Sequence, residues 1–71
     1  MTSMEILVQK AGVNGLEVGI GYNGLFYAFL IDAETTETVC ITDPRRGVAE
    51  VLTLLSVRLD ELLDRFPERR V

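Results

Sequence analysis

Residues 16–32, LEVGIGYNGLFYAFLID, decide the fold. Leu16, Val18 and Ile20 recur at period two, then Asn23-Gly24 interrupts, then an aromatic and aliphatic run follows from Leu25 to Asp32. Two such runs around Asn-Gly predict a β-hairpin, because a type I′ turn needs positive φ at both central residues and Asn-Gly supplies it. A two-residue loop fixes the register. Tyr22 then faces Leu25, Ile20 faces Tyr27, Val18 faces Phe29 and Leu16 faces Ile31, with all eight on one face, the expected core. Phe26, Ala28 and Leu30 fall on the opposite face beside Gly19, Gly21 and Glu17. A slip of one residue would exchange the two faces.

Outward from the hairpin, Met4–Lys10 (MEILVQK) reads as a further strand and Ala11–Gly15 (AGVNG) as a turn. On the other side, a polar loop around Ala33–Thr36 leads into ETVCITD, another strand. An even-length loop puts Val39 and Ile41 on the face of Phe26; an odd-length loop puts them in the core. Asp43-Pro44 predicts a helix start, with Asp43 as cap and Pro44 at the first helical position. Val48, Val51, Leu52, Leu55, Leu59, Leu62 and Phe66 form one stripe at helical spacing, and Pro67 ends it. The expected architecture is α+β: a four-stranded antiparallel β-meander with one long C-terminal α-helix packed on one face. Residues 1–71 form a single small domain, with 1–3 and 67–71 as loose termini.

Composition excludes much chemistry. The chain has 71 residues and no His, so imidazole catalysis and the usual zinc and haem ligand sets are absent. A single cysteine, Cys40, allows no internal disulfide and suits a reducing, cytoplasmic setting. Met1–Glu5 lacks the basic start of a signal peptide, and no apolar run reaches a membrane-spanning length. Eleven acids against seven bases give a net charge of −4, which argues against direct nucleic-acid binding. The charge is uneven: residues 1–44 hold six acids and one base, Lys10.

The motifs read as follows. Gly19–Gly24 spells GxGxxG, but a dinucleotide site needs a helix after the last glycine, and a strand follows here. Gly24 is therefore expected to make the turn, with Gly19 and Gly21 leaving room for Phe26 to lie flat across their strand. Asp32, Glu34 and Glu37 gather at one loop without calcium-loop spacing, so a solvated acidic tip is expected rather than a metal site. Arg45 and Arg46 in a first helical turn oppose the helix dipole, which marks them as candidate binding residues, for an anion or a partner. Cys40 reads as a small buried hydrophobe. No catalytic residue, cofactor or metal is expected. Phe26, Ala28 and Leu30 make an apolar outer face, which together with Arg45, Arg46, Asp32, Glu34 and Glu37 is the candidate partner-binding surface.

In size, acidic sheet and lack of chemistry the chain resembles small phage or mobile-element proteins that block host machinery, anti-CRISPR proteins among them. The likeness implies a non-catalytic inhibitor that occupies the surface of a partner, such as a basic nucleic-acid-binding host protein. The compact sheet-and-helix antitoxins of the HicB type are also similar in layout, but their Pro-Gly-Cys turn motif has no counterpart here. Two alternatives stand beside the inhibitor: a structural subunit whose work is homo-oligomerisation, and a small ligand-binding or enzyme domain. A homodimer through the outer sheet face or a free strand edge is expected.

Overall fold

The computed structural model describes residues 3–65, in the order α1 (Ser3–Gly12), β1 (Leu16–Tyr22), β2 (Phe26–Asp32), β3 (Thr38–Ile41), α2 (Val48–Arg65). The class is α+β, with a three-stranded antiparallel sheet in the order β1-β2-β3 and a C-terminal helix. The expected fourth strand is instead α1. Its three-residue apolar run, Ile6 to Val8, is too short to separate strand from helix by periodicity. Leu7 and Ala11, four apart, are its buried contacts with the core, Glu5 and Lys10 stand at the ends that suit the helix dipole, and the AGVNG segment caps it. There the Asn14 side-chain amide donates to the Lys10 carbonyl (2.8 Å), and Gly15 turns the chain at φ +74°. Ser3, expected to be loose, opens this helix. The remaining expected loose residues, with Phe66 and Pro67, lie outside the described residues.

The hairpin register is shifted by one residue from the Asn-Gly expectation. Tyr22 pairs with Phe26, Ile20 with Ala28, Val18 with Leu30 and Leu16 with Asp32. The loop holds three residues, Asn23 to Leu25, and only Gly24 has positive φ (+82°). Asn23 stays in the ordinary region and its N–H donates to the Leu25 carbonyl, so the two consecutive positive φ values of a type I′ turn are not formed. The slip moves every β2 side chain to the other face.

Ala28 and Leu30 are thus fully buried, with Phe26 packed against the same cluster. Both helices cover this face: Leu7 and Ala11 of α1 and Val51, Leu55, Leu59 and Leu63 of α2 complete one core with Leu16, Ala28 and Leu30. The helical stripe was legible, except that Leu63 is buried while Val48 is exposed. A Lys10–Asp60 ion pair joins the helices on the surface.

A register shift in the ladder between Leu30 and Ile31 resolves the sides of Val39 and Ile41. Leu30 pairs with Cys40 and Ile31 with Thr38, leaving Val39 as the extra residue. Val39 and Cys40 pack against the core, while Ile41, opposite Phe29, is 55% exposed. Loop parity could not decide the pair, because the bulge separates them.

Residues 42–47 do not form the expected first helical turn. Thr42 extends the ladder: its N–H donates to the Ala28 carbonyl, and its hydroxyl accepts from the Ala28 N–H. Arg45 makes an antiparallel bridge with Phe26, exchanging both main-chain hydrogen bonds (2.7 and 2.8 Å). These segments stay extended because β2 offers free edge groups there, and the helix waits until Val48.

Candidate functional site

The surface opposite the helices is the open face of the sheet. It carries Glu17, Gly19 and Gly21 from β1, Tyr27, Phe29 and Ile31 from β2, and Ile41 from β3, by the alternation of the observed register. No described element packs over it. The expected outer residues Phe26, Ala28 and Leu30 are on the helix side instead, and two of them have no exposed surface at all. The apolar outer face exists, but it is built from their neighbours, Tyr27, Phe29 and Ile31.

The glycines set its shape. A Cβ at Gly19 would stand 2.3 Å from Phe29 Cε2, and one at Gly21 would stand 2.2 Å from Tyr27 Cζ. Both rings therefore lie down over the neighbouring strand, with centroids 6.0 Å apart. The expectation that Gly19 and Gly21 make room for a ring holds, with Phe29 and Tyr27 in place of Phe26. The result is a flat apolar surface rather than a row of knobs.

The two ends of the sheet differ in charge. At one end Glu17 pairs with Ile31, and the chain runs through Asp32 into the β2–β3 turn with exposed Glu34 and Glu37. Asp32 is structural as well as acidic: its Oδ1 accepts from the N–H groups of Glu34 (2.9 Å) and Thr35 (3.2 Å), which shapes the turn. Thr36 there adopts φ 62°. At the other end Arg45 sits beside Phe26, followed by exposed Arg46, with Asp43 nearby in sequence. Neither arginine lies in α2, so the dipole conflict that singled them out does not arise. Arg45 Nη1 donates only to the Pro44 carbonyl among the bonds described.

Cys40 lines a hollow of about 210 Å³ with Val39, Arg58, Glu61, Leu62 and Arg65. Burial pushes its thiol above the usual 9.0, and the Arg58 charge and a Leu30 backbone hydrogen bond oppose that only in part. A protonated thiol is a poor nucleophile. Among the described residues, no group of three or more His, Cys, Asp or Glu is placed to hold a metal ion. No described helix is long and apolar enough to cross a membrane. A second apolar groove, between α1 and α2, is lined by Ile6, Leu7, Ala49, Leu52 and Val57. The short N-terminal helix hid this groove from sequence reading.

Compared with protein-family models, curated proteins and solved structures, the chain matches none.

Proposed function

We propose that this chain is a non-catalytic protein-binding module that inhibits or regulates a partner by covering part of its surface. The observation that supports this reading is the open sheet face, where Tyr27, Phe29, Ile31 and Ile41 stand among a single charged side chain, Glu17. Flat apolar surface of this kind is characteristic of interfaces, in which aromatic side chains are enriched and charges are depleted at the centre. Glu34 and Glu37 beside it favour a partner with basic groups around an apolar patch, and their field would raise the association rate. A nucleic-acid-binding host enzyme has that chemistry, and an anti-CRISPR-like protein of a phage or mobile element would use it. A single cysteine, Cys40, which can form no internal disulfide, suits a reducing cytoplasm.

A structural subunit is the second reading, supported by the same face, since a further copy of the chain would also cover it. Affinity capture from the source cells tests the first. Wild type and Val57→Lys, altered in the α1–α2 groove, should retain the same partner, and Ile41→Lys should lose it. Equal capture by Ile41→Lys, or no partner for any of the three, would refute the proposal.

A further inference from the structure

We infer that the Asn23-Gly24 loop is a self-modifying site, at which the folded protein converts Asn23 to aspartyl and isoaspartyl residues without an enzyme, while the fold holds Asn14-Gly15 inert. The inference stands apart from the binding reading and needs no partner. The chain has two asparagines, and each is followed by glycine. In that dipeptide the glycine main-chain nitrogen can attack the asparagine side-chain amide. Glycine has no Cβ to hinder its nitrogen, and its backbone turns freely enough to bring the nitrogen within reach. The two sites share one chemistry, so a difference between them comes from the structure.

At Asn14 both reacting groups are tied. The residue is 9% exposed. Its Nδ2 donates to the Lys10 carbonyl (2.8 Å), which fixes the side-chain amide. The attacking nitrogen, that of Gly15, donates its N–H to the Gly12 carbonyl (3.1 Å). Ring closure would break both bonds. The product would also set a carboxylate where the Asn14 Oδ1 is already buried without a partner, and a buried unpaired charge is costly.

At Asn23 neither group is tied. Asn23 and Gly24 are exposed. Among the hydrogen bonds described, neither the Asn23 side chain nor the Gly24 N–H takes part; the loop's own bond runs from the Asn23 N–H to the Leu25 carbonyl. Open space surrounds Gly24, with nothing within 4 Å of the place a Cβ would take. Residues 23–25 belong to no strand, so turning the Asn23–Gly24 peptide breaks no ladder hydrogen bond. Segments of this kind open at little cost.

The reaction balances with water alone. The Gly24 nitrogen bonds to Asn23 Cγ and gives up its proton, the Cγ–Nδ2 bond breaks, and Nδ2 takes a proton and leaves as ammonia. Water then opens the resulting succinimide. Addition at Cγ gives aspartate; addition at the Asn23 main-chain carbonyl gives isoaspartate, whose chain runs on through Cβ and Cγ. Either product adds one negative charge at the end of the sheet where Arg45 bridges Phe26. The second also lengthens the loop by one backbone atom.

Incubation of the full-length wild type at pH 8, followed by a glutamate-specific protease and mass spectrometry, tests it. Cleavage after Glu5, Glu17 and Glu34 puts Asn14 on peptide 6–17 and Asn23 on peptide 18–34. In the folded protein, peptide 18–34 should gain one mass unit at least tenfold faster than peptide 6–17. Part of the product should accept a methyl group from S-adenosylmethionine in the presence of isoaspartyl methyltransferase. In urea, where the fold shields neither site, the two rates should agree within about threefold, because Asn14 becomes faster. Equal rates in the folded protein overturn the inference, and so does a peptide 18–34 that stays unchanged while the unfolded chain reacts. A tenfold difference that persists in urea overturns it too, since the contrast then comes from neighbouring residues and not from the fold.

Discussion

Gly19 lies directly beneath the ring of Phe29, so close that a methyl group at position 19 would stand 2.3 Å from Cε2 and 2.4 Å from Cζ. Glycine interior to a strand ordinarily weakens it. Here the ring of the paired residue covers the glycine and recovers part of that loss, as in aromatic rescue. Gly21 and Tyr27 repeat the arrangement two residues on. The literal GxGxxG is thus a packing pattern.

Gly19→Ala should force the Phe29 ring off the sheet and lower stability by about 1–2 kcal/mol in urea unfolding, within the usual range for a steric change of this kind. In a Phe29→Ala background the same change should cost much less, since the ring is already gone. Costs that simply add would contradict the contact.

Leu30→Ala and Phe29→Ala differ by one residue and by one face. Leu30 is fully buried among the helices, so its truncation should cost about 2–5 kcal/mol and can unfold a domain this small. Phe29→Ala should cost about 1–2 kcal/mol, because one side of its ring already faces solvent. Thermal melts of the two variants check the order; the reverse order fits the two-residue loop.

Arg45 contributes to the fold through its main chain. Arg45→Ala should change stability by less than about 0.5 kcal/mol, because its half-buried side chain makes only a local hydrogen bond to the Pro44 carbonyl among the bonds described. Arg45→Pro removes the N–H that donates to the Phe26 carbonyl (2.8 Å) and should cost about 1–3 kcal/mol. Equal effects would show that the bridge is unimportant.

The Cys40 thiol is held above 9.0 mainly by burial. A group with a raised folded pKa gives its full stabilisation below its unfolded pKa, and that is lost as pH rises through the folded value. Wild-type stability should therefore fall above pH 9 more steeply than that of Cys40→Ala. At pH 8 the folded thiol should react with iodoacetamide more slowly than the thiol of the urea-unfolded chain. Equal rates would mean that Cys40 is not shielded.

The presence of the hairpin, of β3 and of the α2 stripe was legible, because apolar and aromatic runs bounded by turn residues, and apolar residues three and four apart, mark elements even where the register within the sheet is not fixed. Glu34 and Glu37 fall in the segment between β2 and β3, where their polar run suggests a loop, whereas Asp32 is the last residue of β2 and shapes that turn from the strand. Three features were not legible. Met4–Lys10 carries too few apolar residues to display a period, and its buried partner Ala11 reads equally well as part of a turn. Asn23-Gly24 favours a two-residue loop locally, yet burying Ala28 and Leu30 under two helices while leaving the bulkier Tyr27 and Phe29 to lie over glycines outweighs that preference. Arg45 looked helical after Pro44 because its partner, the free edge of Phe26, is a tertiary feature.

The claim on which the binding face depends is the hairpin register, and nuclear Overhauser contacts between α-protons measure it directly. Ala28 and Phe26 direct their main-chain groups toward Thr42 and Arg45, so their pairs with β1 are the non-hydrogen-bonded ones, in which α-carbons approach to about 4.5 Å. Strong α-proton contacts are expected between Val18 and Leu30 and between Ile20 and Ala28. Contacts from Val18 to Phe29 and from Ile20 to Tyr27 would contradict the account, returning Tyr27 and Phe29 to the core and Phe26, Ala28 and Leu30 to the open face.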